Sequence, residues 1–302
     1  MMNKFKVPVK IFMWAAVGAI FMILADFIIK NIATNGTSMT TLFFFAWPSG
    51  AIVLFVLSKN MGGVRYHLYP KYPKVLLVRG LFLVMAAYFL FNSLLHNPFS
   101  QHIMITQLAP IFTLIFSVVF FKETLNKKIC VVILLCVLGL WLIIDPRFDS
   151  ASSFLFLALI TAIIQGGSHT FVAGNAHRVT PLGFTFWGTG LLAFVGGILW
   201  FLFERNMPDL KTIFWIQLTS LTACVGLSML AYALQQARPN VGQVSVMLYI
   251  QTPAAIFLGW FFFSEQLAIN SIIGACLIVV SGAYLAINNS SKANRVVMDG
   301  IE

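Results

Sequence analysis

LAPIFTLIFSVVFFKETL, Leu108–Leu125, returns later in the chain as IQTPAAIFLGWFFFSEQL, Ile250–Leu267. Each copy carries a proline, an apolar aromatic run, a glutamate and then a leucine two residues on. Pro110 and Pro253 are 143 residues apart, Glu123 and Glu265 are 142 apart, and Ala87-Tyr88 returns as Ala231-Tyr232 at a spacing of 144. Three landmarks that keep one spacing to within a residue mark a duplicated unit.

The composition says where such a unit lives. Of 302 residues, 60% are hydrophobic, 15% aromatic and only 9% charged, whereas a soluble domain carries about 25% charged residues. The chain reads as an integral membrane protein. Its apolar runs match the roughly 20 residues a helix needs to cross hydrocarbon, and no alternating strand pattern points to a barrel. Ten spans are expected, at 10–31, 38–58, 75–93, 99–121, 128–145, 152–174, 181–203, 213–236, 241–263 and 267–287. They divide five and five, 10–146 and 150–287, at the polar turn Asp145-Pro-Arg-Phe-Asp-Ser150, with a polar tail at 288–302.

Orientation follows from the basic residues. Counted on alternate sides of the spans, fifteen Lys and Arg fall on one side and four (Lys30, Arg147, Arg205, Lys211) on the other. By the positive-inside rule both termini are cytoplasmic. Five is odd, so the second copy enters the bilayer upside down relative to the first. The expected fold class is therefore all-α, ten transmembrane helices as two inverted five-helix repeats, an arrangement of transporters that bind substrate near the midplane.

Several function classes drop out. The net charge of +10 lies in loops between apolar runs, not in one soluble basic patch, so nucleic acid is not a partner. Cys130, Cys136, Cys224 and Cys276 all sit inside spans without a CxxC pair, and read as small buried core residues. No metal or cofactor site is expected. Aspartyl proteolysis within the membrane needs two buried aspartates and one is present, while Ser168 and His169 are neighbours that point about 100° apart on a helix. An enzyme is not expected; beside a secondary active transporter of a small polar or zwitterionic metabolite, a drug or metabolite exporter driven by proton antiport stays open as an alternative, and after it a passive channel.

Ionisable residues inside a span mark sites by default. Asp26 is the one acidic residue well inside a span, and two readings stand side by side: it faces a central cavity, or it pairs with Lys30 one turn on. Other polar candidates are Asn92, Gln107, Gln165, His169 and Gln251, where the alternative is hydrogen bonding between helices. Among the aromatics, Trp47, Tyr88, Trp187, Tyr232 and Tyr249 are candidates to line a cavity and hold a ring or cation. Asp26 and His169 would suit a coupling proton. Glu123 and Glu265, at opposite faces, read as acceptors for the first amides of the helix that follows each.

The doubled Pro, aromatic run, Glu, Leu, Gly pattern, with Ala-Asp26-x-x-x-Lys30 and with Arg79-Gly80 opening the third span, resembles the EamA branch of the drug/metabolite transporter superfamily. The resemblance runs from about Lys10 to Ile287. It implies a cavity that opens alternately to each side of a bacterial inner membrane, and a small-molecule substrate such as an amino acid, nucleoside or sugar. The stretch from Arg79 to Glu123 is also similar to S-adenosylmethionine uptake carriers. Those tend to have an acidic residue and then a lysine on the sixth helix, where this chain has Gln165, Gly166 and His169.

Overall fold

A computed structural model of the chain describes residues 7–121, 127–144, 154–238, 240–266, 268–281 and 284. Every regular element among them is helical. In order they are α1 Val9–Thr34, α2 Met39–Phe45, α3 Trp47–Asn60, α4 Val64–Leu68, α5 Pro73–His96, α6 Phe99–Thr106, α7 Ala109–Phe121, α8 Lys127–Ile144, α9 Leu155–Gly174, α10 Pro181–Phe203, α11 Leu210–Ala237, α12 Val241–Ser245, a 3₁₀ turn Val246–Ile250 and α13 Gln251–Phe263. Ile269–Ser281 forms α14. Among the described residues eight stretches are long and apolar enough to cross a bilayer, taking α2 with α3, α6 with α7, and α12 through α13 as one each. The expected joint at Asp145–Ser150, the tail at 288–302 and the role of Glu123 lie outside the described residues.

Local chemistry sets the helix starts. Ser38, Thr180 and Asp209 each accept a hydrogen bond from the backbone amide three residues on, at 3.1, 3.2 and 3.3 Å, and prolines begin α5 and α10. A capped amide and a preset φ satisfy groups the helix itself leaves open. The doubled prolines also leave their mark. Neither Pro110 nor Pro253 can donate to the fourth residue back, and the helix is interrupted just upstream of each, at Gln107–Leu108 in one copy and by the 3₁₀ turn in the other.

The third interruption, between α2 and α3, has a further cause beside Pro48. Ser49 would ordinarily donate to the Phe45 carbonyl. Instead its N–H donates to Gln217 Oε1 at 3.1 Å, and Gln217 Nε2 donates to the Phe45 carbonyl at 2.6 Å. A side-chain amide from α11 is thus inserted into the ladder of another helix, which bends it there.

Close crossings hold the bundle. α1 runs along α11 with Gly18 facing Gly226; a Cβ on Gly18 would lie 3.0 Å from the Gly226 carbonyl, and one on Gly226 would lie 2.9 Å from the Gly18 carbonyl. Gly166 of α9 meets α7 as closely, 2.9 Å from the Thr113 amide. Without a hydrophobic drive between helices in lipid, such backbone approach is what packs them. Large apolar side chains such as Phe120, Phe203, Trp260 and Phe261 point outward, as expected of a surface that meets acyl chains.

Three expectations need correction. Cys224 is buried, but Cys276 is exposed; a thiol costs little in hydrocarbon, so its presence in a span did not imply the interior. Lys30 does not pair with Asp26. Its ammonium donates to the carbonyls of Leu94 (2.6 Å) and Asn97 (2.9 Å) at the end of α5, where a helix concentrates negative partial charge. Glu265 does accept helix-start amides, and those seen among the described residues belong to α6 rather than to the helix that follows it. Its carboxylate takes Phe99 N–H, Ser100 N–H (3.0 Å) and the Ser100 hydroxyl, all at the start of α6. Lys30 and Glu265 therefore clamp the α5–α6 turn, a cation at the end of one helix and an anion at the start of the next.

Candidate functional site

Inside the bundle lies a cavity of about 1120 Å³, counting the part open at its mouth, between α1, α2, α3, α5, α9, α10 and α11. Its wall is mostly apolar, with a few polar groups set into it. These include Asp26 from α1, Trp47 from α3, Arg79 from α5, Gln165, Ser168 and His169 from α9, and Ser220 and Cys224 from α11. A smaller space of about 350 Å³ adjoins it, sharing Asp26, Gln165 and His169 and adding Gln107 and Gln251.

Asp26 and Arg79 are the ionisable pair that matters. Among the described residues Asp26 has no ion-pair partner, since Lys30 is engaged at the end of α5. Arg79 is 6% exposed, two turns inside α5. Its guanidinium donates to Ser168 Oγ from Nη1, while Nε–H is buried without an acceptor. Arg79, counted with the cations of the cytoplasmic side, lies within its span and faces inward. The remaining basic residues still favour the same side. Signal for Arg79 existed in LLVRGLF, where a lone arginine stands between apolar neighbours.

Other groups complete the wall. Trp47 Nε1–H is buried with no acceptor. The Thr113 hydroxyl donates to the Ala109 carbonyl at 2.9 Å and lies 3.3 Å from His169 Nδ1. With the hydroxyl's hydrogen so used, His169 Nδ1 is the donor, and Nε2 is left to accept. At the floor, Gln107 Nε2 donates to Gln251 Oε1 at 2.9 Å, and Gln251 Nε2 donates to the Ala19 carbonyl at 3.0 Å. Gln107 Oε1 is buried and unpartnered. These two glutamines do join helices, and they do so at the edge of the cavity.

The structure thus brings together Asp26, Trp47, Gln165 and His169, with Gln107 and Gln251 beneath them. It does not bring the other candidates there. Tyr88 is 48% exposed on the outer face of α5. Asn92 donates to the Tyr88 carbonyl at 2.8 Å within the same helix. Tyr232 packs edge-on against Trp14, and Tyr249 is buried in an apolar cluster with Met104, Leu108 and Ile111. Trp187 donates to the Leu68 carbonyl at 2.9 Å and lines a different recess. Repeat-related position did not predict which face of a helix turns inward. Sequence reading also passed over Gln217, an amide in an apolar run.

Known proteins share sequence and fold with this chain over most of its length. A model of the EamA-like transporter family matches residues 9–145 and again residues 152–287. The chain is 25% identical over 289 residues to the pseudopaline exporter CntI of Pseudomonas aeruginosa (strain UCBPP-PA14), covering 91% of this chain and 97% of that one. It is 24% identical over 222 residues to the uncharacterized transporter YxxF of Bacillus subtilis (strain 168), covering 71% and 70%. A solved crystal structure superposes with a TM-score of 0.65 at 17% identity, over 90% of this chain and 96% of the other.

Proposed function

This chain belongs to the EamA-like transporter family, and on that premise we propose that it is a secondary active transporter for a small zwitterionic metabolite, an amino acid or a derivative such as S-adenosylmethionine. The observation that carries this reading is one carboxylate and one guanidinium in a single membrane cavity, with no ion pair to Asp26 among the described residues. A buried charge without a partner is costly. A ligand that brings both an ammonium and a carboxylate relieves both costs at once. Arg79 would take the ligand carboxylate in forked hydrogen bonds, Asp26 its ammonium, and the Trp47 ring a further cationic or aromatic part. Gln165, His169, Gln107 and Gln251 offer hydrogen bonds from the side and floor.

Alternating access follows from reading the two matched halves as inverted repeats, both termini cytoplasmic. Gln107 and Gln251 lie three and two residues before the paired prolines and bond to one another. A contact between such near-corresponding residues supports a pseudo-twofold axis close to them. α1 packs on α11 as α5 packs on α9, the pattern expected when the copies exchange. His169 Nε2 and Asp26 supply positions for a coupling proton.

Purified protein in liposomes is expected to take up a labelled amino acid or S-adenosylmethionine saturably and with counterflow. Asp26→Asn should weaken zwitterion binding by about tenfold or more, the value of a lost charge-assisted hydrogen bond, and Arg79→Lys should do the same for ligands bearing a carboxylate. Uptake unaffected by both variants, or linear in concentration without counterflow, refutes the reading. Likeness to CntI along the whole chain favours export as the direction, and right-side-out against inside-out vesicles distinguish it from uptake.

A further inference from the structure

A second recess, about 870 Å³, lies apart from the central cavity, between the loop helix α4, the start of α5 and the start of α10. Its wall includes Arg65, Lys71 and Arg178 and no carboxylate. No carboxylate stands among these three exposed cations to offset them, so the field inside favours an anion. The amino end of α10, a 23-residue helix, adds to it, with Thr180 and Gly183 in the wall; the positive end of a helix dipole attracts phosphate.

The recess thus offers cations for a phosphate. Its rim places it at headgroup depth: Tyr66 and Tyr69 are 71% and 64% exposed, and Trp187 anchors on the Leu68 carbonyl, as aromatics do at a membrane interface. Farther along α5, Leu77 and Leu81 point outward where acyl chains would run.

We infer that this recess binds the headgroup of an anionic phospholipid such as phosphatidylglycerol, with its phosphate on Arg65, Lys71 and Arg178. Basic pockets at the ends of membrane helices hold such headgroups.

The test is a thermal-shift titration of the detergent-purified full chain with phosphatidylglycerol, phosphatidylcholine or inorganic phosphate. Phosphatidylglycerol is expected to raise the melting temperature saturably and phosphatidylcholine not to. In the triple variant Arg65→Gln, Lys71→Gln, Arg178→Gln, half-saturation should move up roughly a hundredfold, about fivefold per cation. A second triple, Lys10→Gln, Lys59→Gln, Lys74→Gln, removes as much charge outside the recess and should behave as wild type. If the first triple does not elute as folded protein, Arg178→Gln alone should shift half-saturation about fivefold. Equal losses in both triples would reduce the effect to surface charge and overturn the site. Inorganic phosphate reproducing the shift at millimolar concentration would make it a site for a soluble anion and overturn the lipid assignment.

Discussion

At the scale of single residues, charge placement distinguishes structural from ligand-binding candidates. Lys30, Glu265 and Glu204 all lie near helix ends and all find partners in the protein; Asp26 and Arg79 lie on the cavity wall, and Arg79 is only partly satisfied. Glu204, just past the end of α10, accepts from Ser38 Oγ at 2.6 Å and Thr41 Oγ1 at 2.8 Å. Partial burial pushes its carboxyl up, but hydrogen bonds from Ser38, Thr40 and Thr41 outweigh this and hold it below the usual range. A depressed folded pKa gives stability that is full above the unfolded value of about 4.3 and is lost as pH falls through the folded value. Glu204→Gln should therefore lower the melting temperature at pH 7 by about 2 °C, the equivalent of one helix-start hydrogen bond. The two melting curves should converge on acidification; a difference that persists in acid would mean the carboxylate is not the cause.

At the scale of elements, the interrupted helices position the cavity. The break between α2 and α3 sets Trp47 on the wall, and it is held open by Gln217 from α11 rather than by Pro48 alone. Gln217→Ala would leave the Ser49 N–H and Phe45 carbonyl to close on one another or go unpaired. The expected result is a stability loss of about 1–3 kcal/mol, the cost of unsatisfied buried groups, with a raised KM because Trp47 shifts. Gln236→Ala, an exposed amide on the same helix, should change neither. A Gln217→Ala protein with unchanged melting and KM would show that the inserted amide is incidental to the bend.

At the scale of the whole molecule, the topology is the most direct test of the duplicated unit. In a variant freed of Cys130, Cys136, Cys224 and Cys276, a cysteine at Asn35 should react with a membrane-impermeant maleimide on intact cells. One at Tyr66 should react only after lysis. The reverse pattern would invert the orientation, and equal labelling would break the alternation of spans. Helix bounds were readable along the chain to within a few residues, because span length, prolines and capping hydroxyls act locally. α10 falls on residues 181–203 as expected, and the interruptions before Pro110 and Pro253 follow from a missing N–H. Partners between helices were not readable, because which face turns inward depends on packing among elements far apart in the chain. Glu265 meets α6 across 166 residues, Gln217 enters α2–α3 across 168, and Arg79 reaches Ser168 across 89. Duplication, membrane residence and the helical ladder are thus properties of local sequence and its period. The meeting of Asp26 and Arg79 in one cavity, and the separation of Asp26 from Lys30, arise only when the helices pack, since elements far apart in the chain decide what comes within reach of each charge.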